Sequence, residues 1–401
     1  MTTSNTAPVA NIIENDQQAL NAAYQIADLA LLERKQRDQN GILPFDIMRQ
    51  WSLKGLGAIR IPKQYGGAFV SNQSLAKIFK IIAKADASVG QIPQNQFGLL
   101  SSIEQIASPE QKQKIYAGIL AGKRLANGGP ERYSPDVRSI STYLENIEGQ
   151  YYLTGQKFYS TGASFADWLA IRALHPDGHV VLCIIDAKAD GVSILNDWNG
   201  FGQRTTASGS VNLSRVAVAA EFIFDEKALG EVHQYRGAFS QLLQVAIDVG
   251  IAEAAYADTL AVIAKARPIA DAKVEKASQE HYNLQEVGKL SVLLEAANLL
   301  LQDAARYLDE LDGIDKVTEE QAKQASIIVA LAKVYANDAA LMISEKLLEL
   351  GGSRSSLAEH NLDQHWRNAR VHTLHDPIRW KLHAIGNYYL NGQQNARHAW
   401  I

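Results

Sequence analysis

The spacing of hydrophobic residues changes twice along the chain and divides it into three regions. Up to about residue 122, apolar residues recur at helical intervals, and after about residue 233 that period returns and continues to the end. The middle region instead shows short alternating or β-branched runs between turn residues, which is typical of strands. The pattern predicts a mainly α protein with a central β domain: helices in 1–122, strands in 123–232 and a helical bundle in 233–401.

Local signals place several element ends. Ser108 followed by Pro109 predicts a helix start, because serine can cap the first backbone N–H groups and proline fits the first turn. Asp86 before a run of small residues predicts a junction between two helices, and Gly351 predicts a helix end. The clearest predicted strands are 151–155, 168–174, 180–185 and 211–218, and the longest predicted helices are 239–264, 284–311 and 319–350.

The composition excludes several classes of protein. The 401 residues are 47% hydrophobic and 20% charged with a formal net charge of -4, which offers no basic surface for nucleic acid. Cys183 is the only cysteine, so no internal disulfide or cysteine-cluster metal site can form. The first 18 residues lack the features of a signal peptide, and no uncharged apolar run approaches the ~18 residues of a membrane helix. We therefore expect a cytoplasmic protein without membrane or nucleic-acid partners.

Common cofactor and metal motifs are weak or missing in the sequence. Gly55-Leu56-Gly57 lacks the third glycine and the strand–helix setting of a dinucleotide-binding fingerprint, so a Rossmann site is not predicted. His360 and His365 lie near two acidic residues and could ligate a metal, but a solvated loop at a helix end is the favoured interpretation. We predict no metal site.

The densest polar cluster lies near the C-terminus, at 366–377. Its two arginines share one helical face, and Asp376 followed by Pro377 then forces a turn. Together with His372 and His375, the cluster suits an anionic cofactor and proton transfer near neutral pH. A surface cluster of salt bridges fits the same spacing equally well.

Two further polar segments, 156–163 and 201–210, each combine hydroxyl residues with glycine. In the first, Thr161 precedes Gly162 at the end of a predicted strand and could present backbone N–H and hydroxyl groups to a flat ring system. The second could line a pocket with its hydroxyl groups. For both segments, an ordinary connection between a strand and a turn is an equally good interpretation.

Taken in order, these segments resemble those of the acyl-CoA dehydrogenase superfamily over nearly the whole chain, from about residue 20 to 395. The resemblance rests on 55–67, on the strand end 157–162 and on the glycine turn 350–352. It implies an N-terminal helical domain, a β-barrel-like middle domain and a C-terminal four-helix bundle, assembled as a homotetramer with a flavin between the domains.

The chain departs from the dehydrogenases of that superfamily where their chemistry needs a base. Those enzymes carry a glutamate after an Arg-Asp-Ala-Arg helix, whereas this chain reads Thr-Leu-His-Asp-Pro at 373–377. Some relatives place the base at the start of the first C-terminal helix, but 232–247 contains no acidic residue. An FAD-dependent acyl-CoA dehydrogenase is therefore the alternative and not the preferred interpretation.

The segment Arg-Asn-Ala-Arg-x-His-Thr-Leu-His-Asp-Pro at 367–377 instead resembles the flavin-dependent monooxygenase branch, which includes dibenzothiophene monooxygenases and sulfur-acquisition oxidoreductases. This resemblance implies a two-component enzyme, to which a separate flavin reductase supplies reduced FMN. The reduced FMN would react with O2 to give a C4a-hydroperoxyflavin that oxygenates a small organosulfur compound. FMN is thus the implied cofactor, with FAD as the alternative.

The resemblance also implies roles for particular residues. His375, beside Asp376, would hold or deliver the proton of the hydroperoxide, with His372 behind it. Asn127 and Thr161 would hydrogen-bond the flavin edge or the peroxide, with Thr161 next to flavin N5. The other implied contacts are Trp198 against the flavin, and Arg267 and Arg354 at the phosphate of an FMN held by a neighbouring subunit. The stretch 91–97 would line the substrate side, with Gln94 and Asn95 as the residues named for it.

Overall fold

The computed structural model of the protein describes residues 10–136, 139–231 and 234–393. The domain boundary predicted at 232/233 and the last residues of the predicted bundle, 394–401, lie outside these residues. In the first described stretch, seven α-helices precede the sheet: α1 (Asp16–Leu31), α2 (Arg34–Asn40), α3 (Phe45–Leu53), α4 (Asn72–Ala85), α5 (Ala87–Gln91), α6 (Gln94–Ile106) and α7 (Pro109–Leu120).

Side-chain caps set helix ends where the sequence predicts them. The Ser108 hydroxyl accepts a hydrogen bond from the backbone N–H of Gln111, and the Gln111 side chain accepts one from the backbone N–H of Ser108. Asp86 ends α4 and begins α5, because its carboxylate accepts from the backbone N–H of Ser88 at 3.0 Å. A cap of this kind contributes about 0.5–2 kcal/mol. Both predicted helix starts are confirmed.

Strands in the middle of the chain form one mixed sheet. Their order across the sheet is β6-β7-β3-β2-β4-β5-β8, and β1 pairs in parallel with β4. These strands are β1 (Leu125–Gly128), β2 (Tyr143–Ile147), β3 (Gln150–Lys157), β4 (Trp168–Leu174), β5 (Val180–Asp186), β6 (Val192–Ile194), β7 (Val211–Val218) and β8 (Ile223–Asp225).

The four predicted strands correspond to β3, β4, β5 and β7, and the structure confirms them closely. The sequence analysis missed β1, β2, β6 and β8, which are three to five residues long. An alternating pattern needs about four to eight residues to become visible, so strands this short give too weak a signal.

The C-terminal part of the described chain is helical again. The three long helices predicted from the sequence are confirmed as α9, α10 and α11, and α11 ends at Leu350 with Gly351 as its C-cap. The helices are α8 (Ala228–Glu231), α9 (Arg236–Lys265), α10 (His281–Asp312), α11 (Glu319–Leu350), α12 (Asp363–His372) and α13 (Ile378–Asn391).

The helices that precede the sheet in the chain and those that follow it share one hydrophobic core. Phe79 of α4, Leu242 of α9 and Ala336 of α11 all belong to it, because α4 packs along α9. The sheet has a core of its own around Leu153 and Ile171. Helix α5 and helix α12 both pack against α9, so short segments from distant parts of the chain meet on the face of one long helix.

Helix α11 lies at the centre of the bundle. It is long and apolar enough to cross a membrane by length and composition, but 61% of its most apolar stretch is buried inside the protein. It packs against α9, α10, α12 and α13. Among the described helices α11 alone passes this test, and its burial is that of a core helix.

Candidate active site

The polar cluster predicted near the C-terminus lies on helix α12 and in the turn that follows it. Arg367 near the start of α12 forms ion pairs with Asp38 at 2.6 Å and with Asp363 at 2.7 Å. For this arginine the salt-bridge interpretation is therefore the correct one. The other end of α12, at His372, is fully buried against α9 and α11.

A buried charged triad anchors the end of α12. Lys333 of α11 pairs with Asp248 of α9 at 2.8 Å, and Nδ1 of His372 hydrogen-bonds the second carboxylate oxygen of Asp248. Burial opposes ionisation of Asp248, but Lys333 and His372 outweigh it and lower the pKa of this carboxyl to about 2. A buried charge is tolerated only when it is paired in this way. The triad therefore holds His372 in a fixed orientation.

Gln91, the last residue of α5, connects this triad to His375. Its Oε1 lies 3.0 Å from Nε2 of His372, and its Nε2 lies 3.3 Å from Nε2 of His375. Nδ1 of His375 hydrogen-bonds the backbone carbonyl of His372. The hydrogen-bonded chain runs from the centre of the bundle to a histidine with an exposed edge.

The surroundings of His375 favour its neutral form. One edge of the His375 ring is exposed, but the protein around the ring still displaces most of its water. This desolvation, together with the nearby His372, lowers the pKa of His375 to about 4. Neutral imidazole can accept a proton at one nitrogen while the other donates, which is what a proton-handling group needs near neutral pH.

Asp376 lies inside the turn after His375. Its carboxylate is buried and forms an ion pair with Lys381 of α13 at 3.3 Å. Desolvation lowers the pKa of Lys381. The pair fixes the turn between α12 and α13 and so the position of His375.

The second and third polar segments of the sequence come together beside the sheet. The hydroxyl groups of Thr161, Ser208 and Thr206 form a continuous chain with O···O distances of 2.8 and 2.7 Å. Backbone bonds from Ser160 to Gly209 and from Gly162 to Thr206 hold the two segments side by side. The structure thus joins two segments that the sequence could only describe separately.

These contacts close into a loop that we call the site circuit. On one side, the Asn368 side chain on α12 accepts a hydrogen bond from the backbone N–H of Gln203 at 2.7 Å, one helical turn before His372. On the other side, a Cβ on Gly162 would lie 3.1 Å from the carbonyl oxygen of Ile92, the residue after Gln91. The circuit therefore runs through Thr161, Ser208, Thr206, Gln203, Asn368, His372, Gln91, Ile92 and Gly162.

Trp198 and Asn127 lie beside this circuit. The indole N–H of Trp198 donates to the carbonyl oxygen of Gln203 at 2.8 Å, and its ring meets that of Tyr159 with centroids 6.2 Å apart. Asn127 lies on β1 and is half-buried. The chain just after β1 reaches the end of β3, where Phe158 donates its backbone N–H to Pro130 at 3.0 Å. Both predicted residues are thus next to the segment that carries Thr161.

The predicted substrate-side residues, Gln94 and Asn95, begin helix α6. Gln94 is buried and donates from its side-chain amide to the backbone carbonyl of Ser240 at 3.2 Å. Asn95 is half-buried. Gln94 is therefore tied to α9 and helps to hold α6 beside the site circuit.

Arg267 and Arg354 lie beyond the ends of α9 and α11, away from His372 and His375. Both are exposed, Arg267 just beyond the end of α9 and Arg354 in the turn after α11. Asp248 precedes the end of α9 at Lys265 by 17 residues, which corresponds to roughly 25 Å along the helix at 1.5 Å per residue. This length of helix exceeds the length of an FMN molecule. Within one chain the structure does not bring these arginines to the site circuit.

Two groups that contain histidine lie outside the site circuit. The solvated-loop interpretation is wrong for His365, which is buried in α12 and hydrogen-bonds Asp258 of α9 at 2.7 Å. In the described residues, the group with metal-ligand spacing is His175, Asp177 and His179, at the turn between β4 and β5. Their ligand atoms all lie within 4.8 Å of one another.

Sequence reasoning missed the charged pair behind the site. Asp248 and Lys333 each stand inside an otherwise apolar helical stretch, 245–251 and 327–336. A single charge in such a stretch must be paired, because isolated buried charges are too costly. That signal was visible in the sequence, but only the structure shows that the two residues are partners. Gln91 gave no signal of this kind.

Family models match both helical parts of the chain. The model described as "Acyl-CoA dehydrogenase, N-terminal domain" matches residues 14–123, and "Acyl-CoA dehydrogenase, C-terminal domain" matches residues 242–380. Together they cover more than half of the chain. They contain α5, α9 and α12, the three helices that carry the histidine network.

Relatives and solved structures narrow the assignment. The chain is 27% identical to dibenzothiophene monooxygenase of Mycolicibacterium goodii, covering 89% of each chain. It is 28% identical to the probable FMNH2-dependent monooxygenase SfnC of Pseudomonas putida, over 94% of this chain and 96% of that one. The FMN-bound structure of TdsC from Paenibacillus sp. A11-2 is 28% identical and superposes with a TM-score of 0.90, over 96% of this chain and 100% of that one. The chain belongs to the acyl-CoA dehydrogenase superfamily, in its flavin-dependent monooxygenase branch.

Proposed function

We propose that this protein is a two-component monooxygenase that uses reduced FMN and O2 to oxygenate a small organosulfur compound. The observation that carries the proposal is the site circuit, which joins a chain of hydroxyl groups to His372 and its buried charged triad. The neutral His375 is attached to the circuit through Gln91. Relatives over nearly the full length are a dibenzothiophene monooxygenase, a probable FMNH2-dependent monooxygenase and an FMN-bound protein.

Polar atoms along the site circuit fit a flavin. In the described part of the chain, the Ser160 hydroxyl and the side-chain amide of Gln203 are buried without a hydrogen-bond partner. Such atoms are costly unless a ligand or water satisfies them. Thr161, next to Ser160, would hydrogen-bond the flavin ring, and Trp198 would pack against it. Asn127 would bind the ring edge from the sheet side.

The residues of this chain supply positioning and proton control. Bound FMN, once reduced, supplies the electrons that activate O2. His375 would offer its Nε2 to a bound group in exchange for the long contact of 3.3 Å with the Gln91 amide, because its Nδ1 is occupied by the backbone carbonyl of His372. Asp376 and Lys381 keep the turn in place, and His372 fixes the backbone carbonyl that orients His375. Gln94 and Asn95, at the start of α6, would border the space for the substrate.

A homotetramer would complete the site. Arg267 and Arg354 are exposed and lie away from His372 and His375 of their own chain, so they would bind the phosphate of an FMN held by a neighbouring subunit. Exposed apolar side chains on the bundle helices support association between copies. They are Tyr282, Leu284, Val292 and Leu299 on α10, Tyr335 and Met342 on α11, and Trp380, Leu382, Tyr389 and Leu390 on α13.

The chain would work in the cytoplasm with a separate flavin reductase. Its free Cys183 is buried, and burial raises the pKa of that thiol to about 12, so it stays an unreactive thiol. A reductase would deliver FMNH2 by diffusion, which requires no docking surface on this protein.

The decisive experiment combines the purified protein with FMN, NADH, a flavin reductase and a panel of organosulfur compounds. With 18O2 in place of O2, we expect one labelled oxygen atom in the product, detected by mass spectrometry, and no product when the reductase is omitted. Dibenzothiophene and alkyl sulfinates are the first compounds to test. The proposal fails if the protein retains FAD and the flavin bleaches on anaerobic addition of an acyl-CoA.

A further inference from the structure

Gln91 bridges two histidines through the two ends of one amide group. Its side chain is buried, and it reaches Nε2 of both His372 and His375, at 3.0 and 3.3 Å. An amide has an oxygen that only accepts hydrogen bonds and a nitrogen that only donates them. The protonation of the two rings is therefore linked through this side chain.

The surrounding acceptors fix the other nitrogen of each ring. Nδ1 of His372 faces the ionised carboxylate of Asp248, and Nδ1 of His375 faces a backbone carbonyl. Both partners only accept, so each Nδ1 carries a hydrogen. The number of protons on the pair is then decided at the two Nε2 atoms.

Whichever way the amide points, the two rings together carry one proton more than two neutral imidazoles. With Oε1 of Gln91 toward His372, that ring must donate from Nε2 and is doubly protonated, while His375 accepts and is neutral. With the amide reversed, His372 accepts and is neutral, while His375 donates and is doubly protonated. The two orientations exchange the accepting and donating ends of the amide, and the count of one imidazolium holds in both.

We propose that Gln91 is a positioning residue that holds one shared proton on the pair His372 and His375. Whether Nε2 of His375 carries a proton is then set by Gln91 and not by exchange with solvent. The catalytic part of this inference rests on the proposed function, whereas the shared proton does not.

Charges packed around the pair support a resting state with the proton on His372. Asp248 from α9 carries the negative charge next to His372, with Lys333 from α11 beyond it. His375 instead lies in the turn with the already paired Asp376 and Lys381. Desolvation and the neighbouring His372 lower the pKa of His375 to about 4, which keeps its ring neutral at rest.

Transfer between the two states conserves protons. The proton that Nε2 of His372 gives up is the one that Nε2 of His375 carries in the other state. Rotation of the intact Gln91 amide by half a turn exchanges its accepting oxygen and its donating nitrogen, so that the oxygen then faces His375. The pair carries one positive charge before and after the transfer.

The test is solid-state NMR of the full-length protein labelled with [15N]histidine. Imidazolium and the two neutral tautomers give distinct 15N shifts, and His372→Gln and His375→Gln variants assign the signals. At neutral pH we expect one imidazolium on the pair in the wild type. The carboxylate introduced by Gln91→Glu accepts from both rings, so this variant should show two imidazoliums on the pair. Gln91→Leu offers neither a donor nor an acceptor, so it should show none.

His365 on the same helix is the internal control. It has its own carboxylate partner, Asp258, so its signal should not change with residue 91. Two neutral rings in the wild type, or a count that stays the same in Gln91→Leu, would overturn the inference. The wild-type count needs no substitution at residue 91, so it requires only that the two assignment variants fold.

The catalytic consequence is measured separately in the reductase-coupled assay. Gln91→Leu should raise the ratio of H2O2 to oxygenated product about tenfold, less than the loss of an acid–base group itself, and should shift the pH dependence of that ratio. An unchanged ratio would reject the catalytic role. If the wild type oxygenates nothing, the proposed function fails, while the NMR count still decides the shared proton.

Discussion

At the scale of single residues, His375 has an exposed ring edge, and its Nδ1 is hydrogen-bonded to the backbone carbonyl of His372. Replacement by alanine should slow oxygenation by about 10²–10⁴-fold, the range for loss of an acid–base group, and should divert reduced flavin to H2O2. Product and H2O2 are quantified in the same reaction. His383→Ala, an exposed histidine on α13, is the matched control and should behave as the wild type. Unchanged coupling in His375→Ala would remove it from the mechanism.

The pH dependence follows from the lowered pKa of His375. With a pKa of about 4 instead of the usual 6.5, the ring is neutral throughout the range from pH 5 to 8. The oxygenation rate should therefore show no inflection near pH 6.5 from this group, and its acid limb should lie near pH 4. A pH–rate profile with excess reductase checks this. A limb near pH 6.5 that disappears in His375→Ala would contradict the expectation.

Asp248 is the residue on which the buried triad depends. Asp248→Asn leaves Lys333 buried without its counter-charge, so the free energy of unfolding should fall by about 3–5 kcal/mol in denaturant titrations. Glu253→Gln on the same helix is the control, because Glu253 pairs with the partly exposed Lys80 and Lys84 and should cost about 0–1 kcal/mol. Equal losses in both variants would contradict this expectation.

The buried triad also makes stability depend on pH. The pKa of Asp248 is lowered, so its contribution to the free energy of unfolding is present above pH 3.8 and is lost as the pH falls toward 2.

At the scale of elements, the sequence predicted what periodicity and caps control. The long helices α9 to α11 and the start at Ser108 follow from local patterns, and so do the four longer strands. Short strands such as β1 carry too few residues for a pattern, although β1 positions Asn127. In the candidate site, the residues 372–376 and Thr161 could be chosen from the sequence. Their link through Gln91 and Asp248 could not, because it joins positions more than a hundred residues apart.

The contact between helix α7 and strand β4 leads to a paired prediction. A Cβ on Gly118 of α7 would lie 2.1 Å from the ring of Trp168 on β4, so Gly118→Ala should destabilise the protein by about 1–3 kcal/mol. Gly288 of α10 has open space at the same position, and Gly288→Ala should stabilise the helix by up to about 1 kcal/mol. Thermal unfolding of the two variants tests the pair. Shifts of the same sign would show that helix propensity, and not the Trp168 ring, decides both.

At the scale of the whole molecule, the sheet and the bundle have separate hydrophobic cores, yet the site circuit belongs to both. Thr161 and Ser208 come from segments beside the sheet, whereas His372 and Asn368 come from α12 on the bundle. The hydrogen bond from the backbone N–H of Gln203 to Asn368 and the close approach of Gly162 to Ile92 close the circuit. The function of this fold therefore depends on how the two layers are joined.

Assembly provides the last test, because the proposed site takes its histidine from one subunit and its arginine from another. His375→Ala and Arg354→Ala should each be inactive alone, the second through a lower affinity for FMN. The two variants are then co-expressed, each with its own affinity tag. A pair made of one subunit of each variant contains one site with both wild-type residues and one site with neither. Random pairing should then restore about a quarter of the wild-type activity. Mixing the purified homo-oligomers without subunit exchange is the control and should restore none. If Arg354 acted within its own chain, every site in the mixed assembly would lack one of the two residues, and activity would stay at the level of the single variants.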